Sequence, residues 1–310
     1  MTRFASISID LDGIACYHAI HGLPAPTGGD AALQKGLPRF LEMMAQLELP
    51  ATLFVIGRDL VHPEVASTLR QAAEQGHELA NHSFSHDYRL TQQSPEHIAD
   101  EIRRAGRAIE RISGEAAQGF RAPGYNTSEA LMQALEDQGY LYDSSIFPTP
   151  AYFALRATAI GFHALQKRKS RSLPGDLRQF IARRDSYHPR RGQLHRAGRG
   201  AQARKIRELP IATTPLLRLP FIGTNISISP KSVNKMLALW QRLSPAPIHL
   251  ELHAADFIDH TDGVAPQLAQ HQADLRIDAR HKIDKIYSII SYLKKIREIH
   301  GMAHLARLLA

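Results

Sequence analysis

Apolar and polar positions along the chain alternate between strand-like and helix-like spacing. Residues 4–9 (FASISI) alternate as a half-buried strand does, and Asp10 and Asp12 follow at its carboxyl end. Residues 31–48 bring Leu37, Phe40, Leu41, Met44 and Leu47 to near-3.6 spacing before Pro50, which predicts a helix. The run ATLFVIG then reads as a buried strand ending at Gly57. A helix is expected from Pro63 to Gln75 with Gly76 as its stop, followed by strand and loop over 77–86. Helices over 94–112 and 128–138 flank the short strand and Pro/Gly turn GFRAPGYN, and the second leads into YLYDSS. Strand and helix alternating through short connections is the pattern of parallel βαβ units. Asp10, His82, Arg121 and Asp143 all fall at carboxyl ends of these strands, where such sheets carry their chemistry.

After Pro150 the pattern changes. AYFALRATAIGFHAL is apolar and helical in propensity without a clean polar face, and QKRKSR follows it directly. Residues 183–205 are rich in Arg, Gly and His, and poor order is expected there. The stretch RELPIATTPLLRLPFIGTNISI reads as two strands. A helix from Pro230 to Leu243, the strand PIHLELHAADF, a long helix around 274–298 and the segment MAHLARLLA complete the chain.

Length and composition bound the reading. A chain of 310 residues, 44% apolar, suits one large α/β domain, taken here as 1–310, with 151–206 as a basic, partly disordered insertion. Of 38 Lys and Arg, 15 lie in residues 151–207 against two acids, Asp176 and Asp185; the rest, with 23 basic and 28 acidic residues, is slightly acidic. The positive charge therefore belongs to one segment. The single Cys16 excludes an internal disulfide and fits a reducing compartment, and the start MTRFASISID lacks the pattern of a signal peptide. No apolar run reaches membrane-spanning length, so a cytoplasmic or peripheral protein is expected.

The densest chemistry is HELANHSFSHDY, residues 77–88. His82 and His86 stand four apart after a short strand and can aim at one divalent metal ion. A third ligand has to come from elsewhere, and Asp10 and Asp12 can divide the roles of ligand and base. In the zinc-protease signature a Glu follows the first His, whereas this chain has Ser83, so the base lies on another segment.

Four segments together resemble the polysaccharide deacetylase family, also called carbohydrate esterase family 4 or the NodB homology domain. SIDLDG resembles its first motif, NHSFSH its HSxxH motif, RAPGY its RxPxG motif and LELH its last, while YLYDSS stands where the fourth places an Asp. The likeness runs over roughly residues 4–147 and 207–310. It implies a distorted (β/α) barrel and metal-dependent hydrolysis of N-acetyl or related acyl groups. By position it implies that Asp12, His82 and His86 hold the metal, with zinc the favoured ion. It makes Asp10 the base, Arg121 its orienting partner, His253 the general acid and Asp143 the partner of His253. Gly124 and Tyr125 fall at the oxyanion and substrate positions.

The chain departs from the family pattern at two points. Leu11 separates the two carboxylates of the first motif, as in a variant subgroup that includes allantoinase-like and some intracellular deacetylases, which leaves the Asp10 and Asp12 roles exchangeable. Ser145 and Ile146 replace the usual aromatic region of the fourth motif. The implied function is a metal-dependent deacetylase or deformylase of an amino sugar, including a lipid-linked one reached by peripheral membrane contact through 151–206. The alternatives are an allantoinase-like amidohydrolase and a silent binding module for carbohydrate or nucleic acid. Specific nucleic-acid binding is disfavoured, because Tyr187 is almost the only aromatic among the arginines of 183–205.

Overall fold

The computed structural model of the chain describes residues 3–150 and 176–309. Strands β1 (Phe4–Asp10), β2 (Thr52–Val55), β3 (Glu78–Asn81), β4 (Gly119–Phe120) and β5 (Tyr142–Asp143) pair in chain order, all parallel. The antiparallel hairpin of β6 (Pro189–Arg190) and β7 (Gln193–Ala197) stands apart. Strand β8 (Arg207–Glu208) then adds beside β5, β9 (Ile248–His253) lies along the other side of β1, and β10 (Glu298–Ile299) meets the amino end of β1. Past β8 the chain reaches Ile211, which bridges in parallel to His249 of β9. The Ala212 amide donates to the His249 carbonyl there, at 3.0 Å. That bridge is the seam at which the curled sheet becomes a distorted (β/α) barrel.

The helices are α1 (Ile14–His21), α2 (Leu37–Leu47), α3 (Pro63–Glu74), α4 (Pro95–Ser113), α5 (Glu129–Asp137), α6 (Gly223–Ile228), α7 (Lys231–Gln241), α8 (Pro266–His271), α9 (Ala279–Ile296) and α10 (Met302–Leu308). α4 shows why they start and stop where they do. The Ser94 hydroxyl accepts the His97 amide at 3.3 Å, Pro95 occupies the first position, and Gly114 ends the helix at φ 77°. Ile98, Ile102, Ala105 and Ile109 recur at helical spacing and are all buried. No helix among the described residues is long and apolar enough to cross a membrane.

Three sequence expectations change. β1 is buried on both faces beyond Phe4. Ala5, Ile7 and Ile9 pack in the main hydrophobic core, while Ser6, Ser8 and Asp10 turn towards His249 and Arg121. The period-2 polarity marks a polar barrel interior, not a solvent face. Residues 223–228, read as strand, form α6.

Residues 183–205, expected to be poorly ordered, carry the β6–β7 hairpin, held to α5 by charge. Arg204 Nη1 donates to Glu136 at 2.8 Å, Arg204 Nη2 pairs with Glu129, and Arg191 reaches Glu136 at 3.3 Å. Tyr187 and Ile206 are buried beneath. Composition suggested an unsatisfied basic stretch; its acidic partners lie about sixty residues earlier, invisible to a local reading. The apolar segment 151–165 and QKRKSR lie outside the described residues.

Candidate active site

Five of the residues expected at the site end a parallel strand or directly follow one. Asp10 is last in β1, His82 follows β3, Arg121 follows β4, Asp143 ends β5 and His253 ends β9. Strand register sets Asp10 directly beside His253. The converging ends bring residues up to 243 positions apart into one cluster.

The histidine loop is fixed by its own polar side chains. The Ser83 amide donates to Asn81 Oδ1 at 2.8 Å and the His86 amide to Ser83 Oγ at 3.0 Å. Glu101 Oε2 accepts both the amide and the hydroxyl of Ser85 at 2.8 Å. Amides of Gly57 and Arg58 donate to the Ser83 and Phe84 carbonyls. Ser83 (φ 62°), His86 (φ 54°) and Tyr125 (φ 62°) all adopt left-handed backbone, a conformation that costs on the order of 1–3 kcal/mol for such residues and persists only where surroundings enforce it.

His82, His86 and Asp12 converge. Asp12 Oδ1 lies 3.3 Å from His82 Nε2 and 3.1 Å from His86 Nε2, all three residues being buried. His82 Nδ1 lies 2.7 Å from the Arg121 carbonyl oxygen, so that nitrogen bears the hydrogen and Nε2 presents a lone pair. Asp12 Oδ1 and both ring nitrogens of His86 have no hydrogen-bond partner. Buried lone pairs facing one another are unfavourable alone, and a divalent cation among them removes the repulsion. Burial pushes the Asp12 carboxyl up, but His86 and His82 outweigh it and hold it well below the usual carboxylate range. The donor set thus fits a metal ion, with two imidazoles and one carboxylate.

Beside this group, Asp10 Oδ1 accepts from Arg121 Nη1 at 2.5 Å. Arg121, wholly buried, also donates from Nη1 to Ser8 Oγ, from Nε to the Ser144 carbonyl and from Nη2 to Ser144 Oγ, with its guanidinium 4.0 Å above the Phe54 ring. Gly124, at φ 62°, lies in the turn Pro123–Tyr125 that follows Arg121. An open cleft of about 850 Å³ adjoins the cluster, lined by Cys16, His18, Arg58, His86, Tyr88 and Arg89 among others.

Asp143 does not stand beside His253. Its Oδ1 accepts the Ser145 hydroxyl at 2.7 Å, and Ser145 Oγ in turn accepts the Ala122 amide, so Asp143 braces the turn after β4. Glu208 is its buried acidic neighbour. Burial pushes the Asp143 carboxyl up to about 6, and burial together with the Asp143 charge pushes Glu208 well above the usual carboxylate range.

The carboxylate beside His253 is Glu251, whose Oε1 lies 3.0 Å from His253 Nδ1 and accepts the Tyr125 hydroxyl at 3.0 Å. Burial disfavours charge on His253, but Glu251, Asp10 and Asp12 outweigh it and push the imidazole up to about 9. Sequence reasoning missed Glu251, though the signal was present: a carboxylate in an apolar strand, two residues before a His and hence on the same face.

Fold and cluster define a parallel (β/α)-barrel protein with a buried Asp/His centre at the carboxyl ends of its strands. A family model described as polysaccharide deacetylase matches residues 29–142, a span that includes His82, His86, Arg121 and the Pro123–Tyr125 turn. Similar curated proteins include a peptidoglycan deacetylase of Helicobacter pylori, 26% identical over 151 residues, 46% of this chain and 50% of the relative. A chitooligosaccharide deacetylase of a Bradyrhizobium species is 36% identical over 88 residues, 28% of this chain and 38% of the relative. The chain therefore aligns with half or less of the length of these relatives. Among solved structures, one from Mycobacterium smegmatis, provisionally named a polysaccharide deacetylase, superposes with TM-score 0.57 at 16% identity. That superposition covers 99% of this chain and 90% of the other. A family 4 pseudoenzyme from Bacillus anthracis superposes with TM-score 0.50 at 12% identity over 98% of this chain and 66% of the other, so the fold by itself does not carry activity. Over residues 29–142 the chain is similar to the polysaccharide deacetylase family.

Proposed function

We propose that the protein is a metal-dependent hydrolase that removes an N-acetyl or N-formyl group from an amino sugar. The observation that carries this reading is the meeting of Asp12, His82 and His86, their ligand atoms all within 4.8 Å of one another, beside the Asp10–Arg121 pair and His253. Asp12, His82 and His86 would hold a divalent cation, zinc by the chemistry of two imidazoles and a carboxylate. Such a cation supplies Lewis acidity, activating a water and polarising the acyl carbonyl.

The remaining work falls to the protein. Asp10, oriented by Arg121, takes the proton of the attacking water. The turn at Gly124 and Tyr125 offers a backbone amide near the developing oxyanion. His253, held protonated, gives a proton to the departing amine, which leaves poorly as an anion. A lipid-linked sugar reached by peripheral contact through 151–206 is the sharper form of the proposal, supported by the excess basic charge of that segment.

The test measures divalent metal per chain and acetate release from N-acetylated amino sugars on the same samples of wild type, His82→Ala and Asp12→Ala. About one metal per chain, lost in both variants together with activity, is the expected result. Wild type that takes up no metal from zinc solution overturns the reading.

A further inference from the structure

We infer that Glu251, not the fourth-motif Asp143, is the positioning residue for His253: its carboxylate is the counter-charge that holds the imidazolium whose proton the leaving amine takes. The inference rests on the deacylase reading for its chemical meaning. Its structural content stands apart from that reading.

Geometry carries the argument. Glu251 and His253 occupy alternate positions of β9, so both side chains turn into the barrel. Glu251 is wholly buried, and its Oε1 lies 3.0 Å from His253 Nδ1. The His253 side chain retains 17% of its exposure, so one end of the ring is buried against the carboxylate while the other reaches the open site. Tyr125 holds the arrangement from the opposite strand end: its hydroxyl donates to Glu251 Oε1 at 3.0 Å and lies 3.5 Å from His253 Nε2.

Asp143 is engaged elsewhere: its Oδ1 accepts the Ser145 hydroxyl and its acidic neighbour is Glu208. The same position of the chain has thus been given a bracing role, and the pairing carboxylate has moved to the strand of the histidine itself.

The proton path follows. His253 carries hydrogen on both nitrogens, Nδ1–H towards Glu251 and Nε2–H towards the cleft. As the C–N bond breaks, its electron pair passes to nitrogen, which takes the Nε2 proton. The Nδ1–H bond stays intact beside the Glu251 carboxylate, and the ring is left neutral with a lone pair on Nε2. Nε2 regains a proton from solvent, and Asp10 returns to solvent the proton taken from the attacking water. A carboxylate paired with the ring in this way makes the imidazolium the resting form.

Other charges face the ring. Asp10 adjoins it from β1, Asp12 lies beyond, and Asp256 accepts the His253 backbone amide at 2.9 Å from the turn after β9. Arg121 acts on Glu251 from β4. Among these groups Glu251 exerts the largest charge effect on His253, so it is the one to remove.

The test is the titration of His253 by nitrogen-15 NMR of histidine-labelled full chain, its signal assigned by its loss in His253→Gln. Wild type, Glu251→Gln and Asp143→Asn are compared under identical metal conditions, with thermal unfolding as the check on folding. Glu251→Gln retains an acceptor for Tyr125. The expected result is a fall of the His253 pKa by more than about one pH unit in Glu251→Gln and no change in Asp143→Asn.

A fall in Asp143→Asn, or an unchanged titration in folded Glu251→Gln, overturns the inference. Should Glu251→Gln not fold, the Asp143→Asn titration decides alone. These signals need no turnover, so their failure is separate from that of the deacylase reading, which would show as no acetate release by metal-loaded wild type.

Discussion

Arg121→Gln is the sharpest test of how the barrel interior is held. The guanidinium makes four hydrogen bonds, to Asp10, Ser8 and both oxygens of Ser144, and covers Phe54. Both it and Asp10 are withdrawn from water, at 0% and 2% side-chain exposure. Removing one member of a buried, hydrogen-bonded ion pair leaves the other as an uncompensated charge, which costs about 3–5 kcal/mol. The stranded Ser8 and Ser144 groups add to the cost, while the Gln amide recovers part of one bond.

The net expectation is a loss of about 3–4 kcal/mol, measured by urea unfolding of chelator-treated protein. Adding Asp10→Asn removes the stranded charge, so the double variant should be more stable than the sum of the single losses by about 2 kcal/mol. A loss below about 1 kcal/mol, or strict additivity of the two substitutions, would refute a dry interior with Arg121 as the counter-charge of Asp10.

Two further predictions concern elements that support the site. Burial raises the Asp143 carboxyl, and burial with the Asp143 charge raises Glu208, so stability from their protonated form is complete at low pH and is lost as pH rises through the raised value. Wild type should lose stability relative to Asp143→Asn between pH ~4 and ~7, and parallel urea midpoints across that range would contradict the raised carboxyls. Arg204→Met removes the nearer of two arginines from Glu136, which is 6% exposed, together with the contact of Arg204 with Glu129, and should speed amide exchange across 189–204 by about tenfold or more while β1–β3 stay protected; unchanged exchange there would mean that Arg204 does not hold the hairpin.

The sequence by itself determined the alternation of strands and helices and the placing of Asp10, His82, Arg121 and Asp143 at strand ends, because hydrophobic period, caps and turn residues are local. It also determined the ligand types, since His82 and His86 share one loop and Asp12 follows a strand. Tertiary structure alone decided the pairings. Whether Ser6, Ser8 and Asp10 face water or a polar lumen depends on the closure of the sheet at Ile211 and His249, two segments that carry no mutual signal. Whether Asp143 or Glu251 meets His253 depends on strand register and on the competing claim of Glu208, a charge interaction between residues 65 positions apart. The order of 183–205 likewise rests on Glu129 and Glu136 of α5. Periodicity reports which side of an element is apolar; only the folded arrangement decides which charges become neighbours, because Coulomb energy depends on distance in space and not along the chain.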